Sequence, residues 1–174
     1  ASKKEILRRH CNYLVQQKNN KNVSSELYKI ELIMKQLNIS TDDRPVVSTA
    51  LNISESTDAP VTAIELHDGR IIHGKASDLL SSTSAMLLNA LKAMAGLEDS
   101  LHLISPETIQ PIRHLKVDHL GNRNPRLHTD EVLIALSIQA HTNALSELII
   151  KQIPKLRGCQ AHASEIISES DSYI

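Results

Sequence analysis

The sequence predicts a mixed α/β fold, read as a three-layer α/β/α sandwich preceded by a helical hairpin. Three observations predict it: apolar runs on either side of Asp68-Gly69, an almost wholly apolar helical stretch at 84–95, and two amphipathic segments before residue 40. A small sheet needs both faces covered, and helices of these two kinds can cover them.

The first element opens on Ser2-Lys3-Lys4-Glu5, a capping box in which Ser2 and Glu5 each satisfy an orphan amide. Ile6, Leu7, Tyr13 and Leu14 follow on one side, and the polar stretch 16–22 ends the helix. A second helix from about Ser24 carries Leu27, Ile30, Ile33, Met34 and Leu37 at helical spacing. Two such helices form a hairpin that must lay its apolar stripe on something. Residues 41–60, rich in Ser, Thr, Asp and Pro, read as a linker with one extended run near Val46-Val47. The chain thus divides into a hairpin appendage at 1–40, a linker at 41–60 and an α/β sandwich domain at 61–174.

In the third part, residues 61–67 and 70–74 flank Asp68-Gly69, which signals a two-residue hairpin turn because both turn positions need positive φ. That register sets Leu66 opposite Ile71 and Ile64 opposite His73. The helix at 84–95 leaves almost no polar face, so it is a buried central helix, stopped by Gly96. Residues 101–104 read as a short strand. Ser105-Pro106-Glu107 then starts a helix with a hydroxyl cap, a proline at the first position and an acid in the first turn. A polar loop at 121–128 leads to a helix capped by Thr129 and Asp130. Another helix at 144–153 is stopped by Pro154, and residues 161–167 form the last strand.

Charge narrows the function classes. The 174 residues carry a net charge of −1, with 41% hydrophobic and 22% charged residues, the balance of a globular domain. That field is not one that attracts nucleic acid or an anionic membrane. Tyr13, Tyr28 and Tyr173 are the only Phe, Tyr or Trp residues, so 29–172 offers none of these rings on which a base or sugar could stack. No apolar run approaches the roughly 18 residues of a membrane span. The two cysteines, Cys11 and Cys159, sit far apart and read as free thiols in a reducing, cytoplasmic compartment. The start at Ala1, inside a helix signal, reads as a piece of a longer protein whose upstream domain is the expected partner, together with a second copy of the chain.

Several motifs imitate chemistry. Gly69 to Lys75 matches G-x-x-x-x-G-K, but Gly69 is assigned to a hairpin turn and the intervening residues to a strand, so no amide cradle for phosphate forms. Ala76 also stands where a Mg²⁺-binding hydroxyl is required. The nine histidines contain no H-x-x-x-H or H-E-x-x-H, and His114 and His119, five apart, do not share an α-helical face. No metal site and no cofactor is expected. Cys159 and His162 are the remaining nucleophile and base, three apart in a strand and so on opposite faces. They could serve only in a composite active site completed by the upstream region. The loop carrying Arg123, Arg126 and His128, ahead of Thr129 at a helix N-terminus, is the candidate for an anionic ligand or an interdomain contact.

The order of hairpin, buried helix, strand and helix resembles the cytidine-deaminase-like topology. In that fold the buried helix starts H-x-E or C-x-E and the next starts P-C-x-x-C, for zinc. The matching stretches here are Ser84-Ala85-Met86 and Pro106-Glu107-Thr108-Ile109-Gln110, without a single zinc ligand.

Leu103-Ile104-Ser105-Pro106, the run Asn124-Pro125-Arg126-Leu127-His128-Thr129-Asp130-Glu131 and Leu156-Arg157-Gly158-Cys159-Gln160-Ala161-His162 together resemble the C-terminal region of the uncharacterised bacterial family DUF1846, or UPF0371. The hairpin around Asp68-Gly69, the helix at 85–95 and the opening Ala1-Ser2-Lys3 fit as well. The resemblance implies a longer protein with an upstream α/β region bearing a phosphate-loop-like segment. It implies no activity, because the family has none assigned. The resulting expectation is a non-catalytic interaction, oligomerisation or ligand-binding domain of a larger, nucleotide-binding protein.

Overall fold

The computed structural model describes residues 3–173. Among them are eight α-helices and one antiparallel sheet of three strands, a mixed α/β fold. Helices α1 (Lys3–Lys18) and α2 (Ser24–Gln36) form the expected hairpin, closed on Ile6, Leu7, Leu27, Ile30 and Ile39. Ser2, half of the expected capping box, lies outside the described residues.

Residues 45–57, expected within a linker holding one short extended run near Val46-Val47, form helix α3 (Pro45–Thr57). Its β-branched residues have low helix propensity. However, Pro45 sits at the first helical position, and Val46, Val47 and Ala50 bury their face against Val61 and Ala63 of the sheet. Packing outweighs propensity, and Asp58 in the left-handed region ends the helix.

Strands β1 (Val61–Glu65) and β2 (Ile71–Lys75) form the hairpin, and β3 (Gln160–Ala163) pairs antiparallel on the other side of β1, giving the order β2-β1-β3. The hairpin register differs by one residue from expectation: Ile64 faces Ile72 and Glu65 faces Ile71. The loop has three residues rather than two. Leu66 closes it in both directions, its N–H donating to the Arg70 carbonyl at 2.9 Å and its carbonyl accepting from Gly69 N–H at 3.0 Å. Asp68 accepts from the Arg70 amide, and Gly69 alone takes positive φ, at 84°. This is the turn-plus-bulge hairpin, the next most common after the two-residue form.

Alternation along β1 sets the layers. Val61 and Ala63 face α3, whereas Ile64 and Leu66 face α4 (Ser82–Ala95) through Met86 and Ala90. Helix α4 is buried all round, as its composition requires. Its far side, with Leu87 and Leu91, packs on Leu127, Val132, Leu136 and Ile149, contributed by α6 (Thr129–Gln139), α7 (Ala144–Ile150) and the loop before α6.

Residues 101–104 are not a strand. Leu103 and Ile104 are buried, but they pack beside Ile109 of α5 (Pro106–His114) rather than joining a ladder. The last strand is shorter than expected, four residues, and the chain beyond it turns across the molecule to the short helix α8 (Glu169–Ser172). Helix α7 ends at Ile150, and Pro154 lies in a following 3-10 turn. No helix among the described residues is long and apolar enough to cross a membrane.

Candidate functional site

The loop at 121–128 is held by its own side chains. Asn122 Oδ1 accepts from the Asn124 amide at 2.9 Å, and Asn124 Oδ1 accepts from the Arg126 amide at 3.1 Å. These are successive Asx turns. Fully buried Leu127 then forms a parallel bridge with Leu80, and the Ser81 amide donates to the Leu127 carbonyl. Helices α4 and α6 consequently begin side by side.

Each expected loop residue has a definite place. Arg126 donates from Nε to the Ser77 carbonyl at 2.7 Å, stitching the loop to the chain before α4. His128, not Thr129 or Asp130, is the N-cap of α6, and Glu131 accepts from its backbone N–H at 2.8 Å. Thr129 is fully buried. Its amide donates to Asp171 Oδ1 at 2.9 Å, while His128 Nδ1 lies 2.8 Å from Asp171 Oδ2. The anion position at this helix start is therefore filled by the protein's own carboxylate. Burial pushes the Asp171 pKa up, but the His128 ring and the Thr129 amide outweigh it and hold it below the usual carboxylate range. A depressed carboxylate pKa contributes stability above its ordinary range and loses it as pH falls through the folded value.

Sequence reasoning missed Asp171, which lies 42 residues beyond Thr129. A local signal existed: Ser168 Oγ accepts from the Asp171 amide, the pattern of a helix start. Ser81, Ser82 and Thr83 complete a polar cleft of about 380 Å³ with Arg126, His128 and Asp171. Thr62 Oγ lies 2.9 Å from Ser82 Oγ and 3.3 Å from that of Thr83, so these buried hydroxyls satisfy one another.

Arg123 stays exposed on the outer side of the loop. With Arg126 and with Arg113, from the last turn of α5, it lines an open groove of about 530 Å³ in which Asp78 is the acid. Arg113 carried no signal in the sequence, because no periodicity connects α5 with the loop ten residues later.

Cys159 and His162 are separated as their spacing requires. Cys159 packs with Ile64, Leu66 and Met86 on the α4 side. Burial raises its pKa, so it is a thiol and not a thiolate at neutral pH. His162 pairs with Ala63, whose side chain belongs to the α3 side, and it neighbours Arg44 and Cys11. Burial, helped by the Arg44 charge, lowers the His162 pKa to about 4. The unfolded chain therefore binds more protons than the folded one between about pH 6.5 and about 4, so folding stability falls with acidification through that window. The melting temperature of His162→Gln is expected to depend less on pH there than wild type; parallel curves would contradict the assignment.

His114 and His119 also correct an expectation. Residues 115–119 form a π turn, whose five-residue repeat brings the two rings edge to face at 4.8 Å. Among the described residues no three His, Cys, Asp or Glu side chains group as metal ligands.

Fold and site together describe a mixed α/β domain with a polar cleft between two helix starts and an arginine-lined groove beside it. The chain belongs to the DUF1846 family: residues 42–174 match the model described as "Domain of unknown function DUF1846, C-terminal". Over all 174 residues it is 47% identical to a UPF0371 protein of Corynebacterium urealyticum, 46% to one of Corynebacterium diphtheriae and 42% to one of Streptococcus pyogenes. It covers 35% of the length of each, so the chain spans about a third of the curated relatives it matches.

Proposed function

We propose that this region is a binding domain of a larger protein and that its arginine groove receives an anionic group, from the rest of that protein or from a soluble nucleotide. One observation carries the reading. Arg113, Arg123 and Arg126 converge on one open groove with a single acid, Asp78, in a part of the chain where acids outnumber bases. Arginine clusters recognise phosphate and carboxylate through paired N–H donors. The positions of α3 and α4 on opposite faces of the sheet support the three-layer sandwich, and the hairpin followed by a buried helix supports a deaminase-like scaffold lacking its zinc ligands.

Arg123 is the residue to change, because its exposed side chain carries none of the loop's internal bonds. Calorimetric titration with ATP and with inorganic phosphate should show binding that weakens about tenfold in Arg123→Ala, the effect of one lost charge-assisted contact of about 1.4 kcal/mol. Equal affinity in the variant, or no heat in wild type, removes the soluble-ligand form of the reading. A second form, assembly through a helix face, is favoured by Ile134 and Ile138, one turn apart on α6 and 60% and 68% exposed. Light scattering on Ile138→Glu tests it: an assembly mass that is unchanged counts against that face.

A further inference from the structure

Among the described residues Arg44 is a buried cation without an ion-pair partner. The residue is 4% exposed; Nη2 donates to the Ala161 carbonyl at 2.6 Å, and Nε has no hydrogen-bond partner among the described residues. The nearby carboxylate, Glu65, is bonded instead to Lys4 at 2.6 Å. Buried charges are ordinarily paired or bound to something, since removing them from water costs several kcal/mol. One peptide carbonyl and the uncharged Cys11 thiol are a thin return for a guanidinium with five donors.

The guanidinium does not lack space for a partner. Arg44 lines a cavity of about 380 Å³ between α1 and β3, within the range of small-molecule sites. His162 and Cys11 stand beside it, and neither supplies negative charge: the thiol pKa is raised by burial, and the imidazole is neutral above about pH 4. Val15, Ala163, Ile166 and Ile167 give apolar walls, and Asn12 and Arg8 add donors from α1. The acids that line it, Glu165 and Glu169, are exposed. The composition is that of a site with a cationic floor and a greasy middle.

We propose that this cavity binds a small oxyanion with an apolar body, its carboxylate or phosphate held by Arg44 and its carbon chain against Ile166 and Val15. The site is separate from the arginine groove, with which it shares no lining residue. Neither proposal depends on the other.

The test is a calorimetric titration of the whole chain with isovalerate, with inorganic phosphate and with neutral isobutanol, while NMR follows the His162 ring. Isovalerate, phosphate or both should bind and isobutanol should not; which anion binds identifies the head group. Saturation should raise the His162 pKa from about 4 toward its ordinary value, because an anion nearby favours the imidazolium. Arg44→Lys keeps the charge but loses the fork, and it should weaken binding about tenfold. Arg44 also ties α3 to β3, so a second variant, Ile166→Glu, places an opposing charge on a wall that is 45% exposed without touching that tie. It too should weaken binding about tenfold or more. No heat and an unmoved His162 in folded wild type would reduce Arg44 to a structural clamp and overturn the proposal. Undiminished affinity in Ile166→Glu, or in a folded Arg44→Lys, would overturn it equally, as would isobutanol binding as well as isovalerate.

Discussion

Gly74→Ala is expected to leave the protein largely unfolded. A Cβ on Gly74 would lie 1.9 Å from Met86 N, 2.4 Å from Ala85 C and 2.5 Å from Met86 Cα, all backbone atoms of α4. No rotamer change relieves a clash with backbone. Either β2 or α4 has to withdraw, which opens the contacts of Met86 and Ala90 with Ile64 and Leu66. Losses of this kind exceed about 4 kcal/mol, a large part of the roughly 5–15 kcal/mol that holds a domain together. Gly69→Ala is the control: nothing lies within 4 Å of its Cβ, and only its φ of +84° is strained. That substitution should cost about 1–2 kcal/mol. Circular dichroism melting of both variants decides the point; comparable transitions would mean that the close approach of β2 and α4 is wrong.

Glu131→Ala is expected to cost about 3 kcal/mol by leaving a buried ammonium half satisfied. The Lys116 side chain is 7% exposed, and its Nζ donates at 2.7 Å both to Glu131 Oε2 and to the Arg126 carbonyl. The same carboxylate oxygen accepts from the His128 amide, so α6 also loses part of its cap. Glu131 retains 24% exposure, and water reaching the vacated space holds the cost at the low end for a broken buried pair. Urea denaturation should show the loss in Glu131→Ala and recover much of it when Lys116→Met is added, because the uncompensated charge is then gone. A single variant as stable as wild type would show that Lys116 is hydrated instead.

Glu131 illustrates how far sequence reading reaches. Its three-residue offset from His128 is a capping pattern visible in any window, yet nothing local shows that a lysine fifteen residues earlier ends on the same oxygen. Helices α1, α2, α4 and α6 were legible because each carries its apolar spacing within one segment, and α4 was legible even as a buried helix. Helix α3 was not. Its Val, Ser and Thr content argues for extended chain, and only the sheet face formed by Val61 and Ala63 makes the helix the better state. The apolar run at 101–104 misled in the opposite direction. Burial of Leu103 and Ile104 looks the same in composition whether the segment pairs in a ladder or packs irregularly over a helix.

The candidate sites divide the same way. The basic loop was found from its residue types, but its arginines have different employments: Arg126 is bonded to the Ser77 carbonyl, while Arg123 faces open space with Arg113. The helix start that the residue types offer to an external anion is occupied by Asp171. His162 was singled out with Cys159, and folding instead places it by Cys11 and Arg44.

By itself, then, the amino-acid order determined the α/β class, the family, the turn at Gly69 and the stop at Gly96. These rest on local backbone preference, periodicity or the presence of particular side chains, all of which are written within a few consecutive residues. Tertiary structure alone decided α3, Asp171 on α6 and, among the described residues, an Arg44 without an ion pair beside its cavity. Each of those depends on which distant group arrives to share a face, a hydrogen bond or a charge, and that is settled only when the chain closes on itself.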